Sequence, residues 1–379
     1  MFRDAKVDGY KYPSMSRAAY IARRWEWAPA GSCHSQYEED RALFADDYHY
    51  RTKFVALCRA SDDVVSAMFR TPPELHAWTS TKYEWGKQRA IYGTDLRGTV
   101  ITNFAMFRCE DVLRKRFPVG SEAEASRVHA RLRGMLDDGD AFCYDFDDFN
   151  AQHSTSSMQA VLMAFRDEFW GSMHEDQREA MEWVVESIAN MTVHDSNTGT
   201  YAPTGTLLSG WRLTTFINTV LNYVYMKVAG VFDVSGVVDS VHNGDDVLLT
   251  ITNVRAAAAV VSKMNAINAR AQSTKCNVFS LCEFLRVEHR DVETTSTGAQ
   301  YLARACATAV HSRAESQAPT HVTDSVKAAR TRLQELEQRG AASATVAALW
   351  RAVATNIART FRVEVQHVMK MYNTHTLAG

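Results

Sequence analysis

Two clusters of acidic residues have the types and spacing that metal-assisted phosphoryl chemistry needs. The first begins with Asp145 at the end of an apolar run, and the second places Asp245 and Asp246 directly after an Asn-Gly pair. Clustered carboxylates repel one another and lose hydration, and a bound cation removes that cost. Mg²⁺ prefers oxygen ligands, and two such ions roughly 3.5–4 Å apart stabilise the attacking and leaving oxygens of a phosphoryl displacement. If the two segments form neighbouring strands, the carboxylates of Asp145 and Asp245 meet at one point.

A short acidic motif does not establish such a site on its own. Asp-rich turns are common, and Gly-Asp-Asp alone carries a high risk of a false match. In the first cluster, Asp147 suits an accessory or solvated role, and the role of Asp148 stays open. The interpretation therefore depends on the segments around the acids.

The segment at residues 209–222, between the two acidic clusters, is suited to binding a sugar. Gly210 allows the backbone to bend before a helix. Polar side chains spaced by four form a stripe along that helix, namely Thr214, Asn218 and Asn222. With Asn150, such groups can bind a 2′-hydroxyl, and a deoxyribose would leave them unpaired. The alternative is a helix whose Thr and Asn side chains face solvent.

A basic segment precedes both acidic clusters. Residues 82–92 mix cations with aromatic residues, and Lys87 and Arg89 are two positions apart. In an extended strand their side chains point the same way. Arg binds phosphate bidentately and Lys acts as a point charge, so the pair suits an incoming triphosphate. A solvated basic loop is the equally open alternative.

The composition is that of a globular protein with a large interior. The chain has 379 residues, of which 46% are hydrophobic and 23% charged, and a formal net charge of −2. This charge does not exclude nucleic acid, because only a binding channel must attract phosphate. Seven scattered cysteines without a C-x-x-C pair argue against a disulfide framework or a zinc site. Polar residues interrupt the most apolar stretch, 213–232, and no secretory signal opens the chain, so we expect no membrane association.

Hydrophobic periodicity and turn signals predict an α+β protein. The predicted strands are 141–146 and 284–287, with a hairpin at 237–251 centred on Asn-Gly. The predicted helices are 155–170, capped by Ser154, and 175–191, 214–229 and 254–271. Near the C-terminus, apolar residues recur at helical spacing: Val346, Leu349, Trp350, Val353, Ile357 and Phe361.

The order of these segments resembles motifs F, A, B, C, D and E in the palm and fingers of RNA-dependent RNA polymerases. The closer resemblance is to the totivirus group of double-stranded RNA viruses. Residues 145–154 (DFDDFNAQHS) resemble its motif A, and residues 209–222 (SGWRLTTFINTVLN) resemble its motif B. Further similar segments are Trp25–Trp27 with Gly31 and Ser32, Lys87–Tyr92, Glu283–Arg286 and Tyr301–Ala305. One departure is His242-Asn243 before Gly244, where the group often has a small apolar residue.

The resemblance implies a right-hand polymerase fold with fingers, a palm made of an antiparallel sheet with helices, and a helical thumb. The fingers would span residues 1–140, with motif F at about 82–92. The palm would span 141–290 with motifs A–E, including a finger-side insertion at about 171–205. The thumb would span 291–379.

The resemblance also implies roles for individual residues. The metal ligands would be Asp145, Asp245 and Asp246, holding two Mg²⁺ ions, with Mn²⁺ as the alternative. Nucleotide-binding residues would be Lys87, Arg89, Asn150, Ser209, Gly210, Thr214 and Asn218. Lys275 would be a catalytic general acid that protonates the pyrophosphate leaving group. Lys82 and Arg286 would contact RNA.

The expected function is template-directed RNA synthesis that replicates or transcribes a viral RNA genome. Its partners would be RNA template and product and ribonucleoside triphosphates, with a viral capsid protein as a further candidate. The expected location is the host cytoplasm, within the viral particle. Two alternatives remain open at this point: a reverse transcriptase or other palm polymerase, and a degenerate polymerase fold that only binds RNA.

Overall fold

The structure, a computed structural model, describes residues 1–84, 87–279, 282–285, 287–289, 306–307, 309–310, 321–338 and 340–372. Its α-helices are α1 (Phe2–Ala5), α2 (Arg17–Ala22), α3 (Arg24–Trp27), α4 (Lys53–Arg59), α5 (Asp62–Met68), α6 (Leu96–Ala105), α7 (Ala125–Leu136), α8 (Thr155–Phe169), α9 (Glu175–Ser187), α10 (Thr214–Val228), α11 (Val254–Ala266), α12 (Val322–Gln338), α13 (Ser343–Phe361) and α14 (Val365–Met371). Its strands are β1 (Leu75–Glu84), β2 (Lys87–Thr94), β3 (Asp140–Tyr144), β4 (Met191–Asp195), β5 (Gly199–Tyr201), β6 (Val237–Asn243), β7 (Asp246–Ile251), β8 (Asn277–Val278), β9 (Glu283–Phe284) and β10 (Val287–Glu288). This mixture of helices and mainly antiparallel strands is the predicted α+β class.

The sheet next to the acidic residues has the strand order β6-β7-β3-β8, and its neighbouring strands are antiparallel. Side chains of β3 alternate between two faces. Phe142 and Tyr144 pack with α10 and α11, whereas Cys143 packs with α7. A strand that is covered on both faces is held firmly in register. The sheet therefore fixes the position where β3 ends and Asp145 begins.

Strands β6 and β7 form the hairpin that the Asn-Gly pair predicts. Asn243 lies opposite Asp246, which leaves Gly244 and Asp245 in the turn. Gly244 has φ +61°, in the left-handed region that a glycine adopts at no steric cost.

A second sheet has the order β2-β1-β4-β5 and joins distant parts of the chain. Strands β1 and β2 form a hairpin, and β1 pairs in parallel with β4, with Leu75 opposite Met191. The predicted helix over 175–191 is wrong at its C-terminal end. Helix α9 ends at Ser187, and Met191 begins β4.

Helix α10 is buried on nearly all sides. Phe216 and Ile217 belong to the largest hydrophobic core, and Asn218 and Asn222 are only 5% and 0% exposed. The interpretation of a solvent-facing polar stripe is therefore wrong. Buried amide groups require hydrogen-bond partners, and those partners define the neighbourhood of the site.

Two predicted helix boundaries can be checked beside the site. Ser154 caps α8 as predicted, because its hydroxyl accepts a hydrogen bond from the Ser157 N–H at 3.1 Å. The predicted helix over 254–271 is too long, since α11 ends at Ala266. Asn268 takes a left-handed conformation, and Ala271 then forms an antiparallel bridge with Phe146.

Helices α12, α13 and α14 form a hydrophobic core of their own. Trp350 and Ile357 are buried, as the helical spacing predicts, whereas Leu349 is 37% exposed and lies outside that core. None of the described helices combines the length and the apolar character needed to cross a membrane.

Candidate active site

The sheet brings the two acidic segments to the same edge. In the pairing of β3 with β7, Tyr144 lies opposite Val247. One further step in this antiparallel register puts Asp145 next to Asp246. Asp245 occupies the adjoining turn, is exposed, and has no hydrogen bond or ion pair to any other described residue. The expectation that the two acidic strands are neighbours is confirmed.

Lys275 lies directly at the first acidic residue. Its Nζ is 3.0 Å from Oδ2 and 3.3 Å from Oδ1 of Asp145, and the two side chains are 45% and 33% exposed. The chain after α11 makes this contact possible, because Gln272 N–H donates to the Asp145 carbonyl at 2.8 Å. The ammonium group balances a carboxylate that would otherwise repel its acidic neighbours.

The donor set at this edge suits a hard divalent cation. Asp145 and Asp245 offer solvent-accessible carboxylate oxygens, which Mg²⁺ prefers over nitrogen or sulfur. Among the described residues, no three His, Cys, Asp or Glu side chains gather into a ready-made metal cluster. Such a set fits Mg²⁺ held by one or two carboxylates, with substrate phosphates completing its coordination.

Helix α10 anchors the hairpin that carries Asp245. The Thr219 hydroxyl accepts a hydrogen bond from Gly244 N–H at 2.8 Å and donates to the Thr215 carbonyl. The side-chain amide of Asn222 donates to the carbonyls of Gly244 and Asp246, at 3.1 and 3.3 Å. The third member of the polar stripe therefore supports the acidic turn, which differs from the sugar contact that its spacing suggested.

His242, the departure from the family pattern, is fully buried beneath this turn. Its Nδ1 pairs with Asn222 Oδ1 and its Nε2 with Ser240 Oγ, both at 2.9 Å. Burial, with nearby Arg116 and Arg131, lowers the pKa of His242 to about 3. The neutral ring thus fills the position of an apolar residue while keeping both nitrogens paired.

Two residues assigned to ribose recognition lie in contact. Asn218 Nδ2 donates to Asn150 Oδ1 at 2.8 Å, which links α10 to the segment after β3. Thr214 is turned away from this pair, since its hydroxyl donates to the carbonyls of Leu208 and Trp211. The structure therefore brings Asn150 and Asn218 together and ties Thr214 to the loop before α10.

The loop before α10 rests on strand β2. Ser209 Oγ accepts from Tyr92 N–H at 3.2 Å, and Thr94 Oγ1 donates to the Gly210 carbonyl at 3.3 Å. A Cβ atom on Gly210 would lie 2.2 Å from the Tyr92 carbonyl oxygen, so only glycine fits here. Ser209 and Gly210 are thereby held against the strand that also carries the basic segment.

The basic residues lie on or beside that strand. Lys87 and Arg89 both belong to β2, as the extended interpretation predicts, and Arg89 is exposed opposite Lys82 of β1. For Lys87 the structure describes the backbone only, as part of β2. Arg286 lies outside the described residues, between β9 and β10.

Three residues at the site carry no role in the sequence-based prediction. Thr219 supports the acidic turn, and His153 and Tyr225 extend the Asn150–Asn218 contact. His153 lies inside the segment that resembles motif A, so the sequence could have indicated a role for it. The contact of Tyr225 with His153 depends on tertiary packing, which no local pattern reveals.

Together, the fold and the site define a right-hand polymerase: a palm sheet with acids at one edge, a fingers-side sheet bearing cations, and C-terminal helices. The fold is similar to the crystal structure of the insertion loop deletion mutant of the RNA-dependent RNA polymerase of a human picorbirnavirus. The TM-score is 0.55 at 12% sequence identity, covering 97% of this chain and 82% of that chain.

The model of the family described as viral RNA-directed RNA polymerase matches residues 2–314, and the chain belongs to this family. The chain is 52% identical, over 380 residues, to the "Probable RNA-directed RNA polymerase" of Saccharomyces cerevisiae virus L-A, covering 100% of the chain and 25% of that protein. It is 40% identical, over 370 residues, to the protein of the same description from Saccharomyces cerevisiae virus L-BC, covering 96% of the chain and 24% of that protein. The predicted totivirus-like family is confirmed, and the chain spans about a quarter of the length of these relatives.

Proposed function

We propose that this chain is the catalytic region of an enzyme that synthesises RNA on an RNA template by two-metal nucleotidyl transfer. The observation that carries the proposal is the antiparallel pairing of β3 with β7, which sets Asp145 beside the Asp245–Asp246 turn. Paired acids at a strand end and a hairpin tip suit cation-assisted phosphoryl chemistry, because they present several oxygens to one place.

In this proposal the acidic and the basic residues of the chain have different roles. Asp145, Asp245 and Asp246 would hold two divalent cations, which when bound would neutralise charge on the attacking and leaving oxygens. Lys87 and Arg89 on β2 would bind the triphosphate of the incoming nucleotide. Positioning and charge neutralisation then account for most of the rate enhancement.

Ribose recognition would rest on the motif A and motif B residues. Asn150 Oδ1 accepts a hydrogen bond from Asn218, and the side-chain amide nitrogen of Asn150 has no hydrogen-bond partner among the described residues. This nitrogen is therefore available to a sugar hydroxyl. The buried Asn218 holds that amide, and Ser209 and Gly210 would shape the same pocket. This arrangement favours ribonucleotides over deoxyribonucleotides, because an unpaired amide costs binding free energy.

Lys275 is proposed as the general acid for the pyrophosphate leaving group. Its ion pair with Asp145 puts the ammonium group at the acidic edge, within reach of a triphosphate bound there. Lys82 and Arg286 are proposed to contact RNA. The location of the protein in the host cytoplasm, within the viral particle, stays a prediction from the sequence. The same holds for a capsid protein as its partner.

The test is primer extension by the purified protein on an RNA template, with Mg²⁺ or Mn²⁺. We expect incorporation of ribonucleotides that depends on the divalent cation and is abolished in Asp145→Asn and in Asp245→Asn. Asp167→Asn, at an exposed position of α8, is the matched control and should retain activity. A folded wild-type protein that incorporates no ribonucleotide, or that prefers deoxyribonucleotides, would overturn the proposal.

A further inference from the structure

Behind the two asparagines lies a chain of hydrogen bonds that is buried at its centre and ends in a tyrosine. Asn218 Oδ1 pairs with His153 Nε2 at 2.8 Å, and His153 Nδ1 pairs with the Tyr225 hydroxyl at 3.0 Å. His153 is 1% exposed and is packed edge-on against Phe149. The chain therefore runs from Tyr225 through His153 and Asn218 to Asn150 without a gap.

The direction of each hydrogen bond in this chain follows from the donors present. Asn218 donates to Asn150 through Nδ2, so its Oδ1 is the acceptor for His153. His153 must then carry its proton on Nε2, and its Nδ1 must accept from the Tyr225 hydroxyl. Burial lowers the pKa of His153 to about 4, so the ring is neutral at pH 7 and carries a single proton, on Nε2.

The opposite direction would change what Asn150 offers to a ligand. If both amides and the imidazole reversed, Asn150 would turn its carbonyl outward in place of its N–H groups. When the Tyr225 hydroxyl donates to His153 Nδ1, it stabilises the tautomer that carries the proton on Nε2, and so it opposes that reversal.

We propose that His153 and Tyr225 are positioning residues that hold the Asn150 amide with its N–H groups toward the ribose of the incoming nucleotide. The inference rests on the proposed function and adds a determinant of sugar selectivity to it. Neither residue touches substrate, since both act through Asn218. Their contribution is orientation, so it applies to nucleotides with a 2′-hydroxyl and leaves deoxyribonucleotides unaffected.

The test compares single-nucleotide incorporation of ribo- and deoxyribonucleoside triphosphates in variants of the chain. His153→Phe fills similar volume but has no donor for Asn218, and we expect the ribo-to-deoxyribo ratio of kcat/KM to fall about tenfold, the effect of one hydrogen bond. His153→Gln can donate through its amide nitrogen and accept through its oxygen, so it should restore most of the ratio. Tyr225→Phe should give a smaller fall than His153→Phe.

Matched controls separate orientation from packing. His129→Phe alters another buried histidine, on α7, and Tyr223→Phe alters a neighbouring tyrosine of α10. Both should leave the ratio unchanged. Equal losses for ribo- and deoxyribonucleotides in His153→Phe, or an unchanged ratio in both His153→Phe and Tyr225→Phe, would overturn the inference.

Failure of the proposed function gives a different result. In that case the wild-type protein itself would incorporate no ribonucleotide, whatever occupies position 153. If the wild type is active and selects ribonucleotides, the ribo-to-deoxyribo ratio of kcat/KM in the variants tests the hydrogen-bond chain alone. Because Tyr225→Phe removes one oxygen atom and leaves the ring, it also tests the inference should His153→Phe fail to fold.

Discussion

The Nζ atom of Lys275 lies 3.0 Å from the Oδ2 atom of Asp145, although 130 residues separate them in the chain. A salt bridge between partly exposed groups contributes little stability, so its position at the acidic edge is the more informative property. The lysine can act through its charge alone or through its proton, and substitutions distinguish these roles.

We expect Lys275→Arg to lower the rate of nucleotide incorporation about 100-fold while leaving nucleotide binding largely intact. Arginine keeps the charge beside Asp145 but does not release its proton, so only general-acid catalysis is lost. Single-turnover incorporation at saturating nucleotide measures this rate. Lys275→Leu should be at least as slow, and a wild-type rate in Lys275→Arg would show that charge alone suffices.

A second prediction concerns the support of the acidic turn by Asn222. Asn222→Leu leaves the carbonyls of Gly244 and Asp246 without this donor and the Nδ1 atom of His242 without its partner. We expect a loss of about 1–3 kcal/mol in the free energy of unfolding, and a fall in kcat larger than any change in KM. Urea unfolding and steady-state kinetics measure the two effects.

The matched control for that substitution is Asn356→Leu on the exposed face of α13. It should change neither stability nor kcat by a comparable amount. If Asn222→Leu behaves like Asn356→Leu, the hairpin does not depend on α10 for its position.

The elements that hold the site were largely predictable, because their signals are local. The Asn-Gly pair predicts the hairpin around Gly244, and apolar residues at helical spacing predict α10. The partners of polar residues were not predictable. A polar residue at every fourth position looks the same whether it faces water or a buried carbonyl, and only the packed fold places Asn222 under the turn.

Contacts between distant segments could not be predicted from the sequence either. The parallel pairing of β1 with β4 joins Leu75 to Met191, and nothing local to either strand specifies the other. The same reason explains the misplaced end of α9, since a helical pattern up to residue 187 gives no sign that a strand follows. The resemblance to a polymerase family predicted the right-hand fold, which periodicity alone could not.

A third prediction follows from the close approach of Gly210 to Tyr92. In Gly210→Ala the added methyl group would lie 2.2 Å from the Tyr92 carbonyl oxygen, so the loop before α10 must move away from β2. We expect a rise in KM for the incoming nucleotide and a weaker preference for ribonucleotides. Gly134→Ala, where a Cβ meets no atom within 4 Å, is the control and should leave both unchanged. A normal KM in Gly210→Ala would indicate that the loop does not contact the nucleotide.

The last prediction concerns pH and the buried His242. Its pKa is about 3 in the folded protein and about 6.5 when the chain unfolds, so below pH 6.5 the unfolded state alone binds the proton. The contribution of His242 is therefore fully present above pH 6.5 and is lost as the pH falls toward 3. Between pH 7 and pH 5 this residue should reduce the free energy of unfolding by about 2 kcal/mol.

Urea unfolding at pH 7 and pH 5, without divalent cations, measures that dependence. His242→Gln keeps a donor and an acceptor in the same place but does not titrate, so the loss of stability between the two pH values should shrink by about 2 kcal/mol. His153, whose pKa burial lowers to about 4, adds a dependence of the same sign, and it remains in this variant. His49→Gln removes an exposed histidine and is the control for the loss of any histidine. An identical pH dependence in His242→Gln and the wild type would mean that His242 takes up its proton without unfolding, and that the turn it supports opens to water.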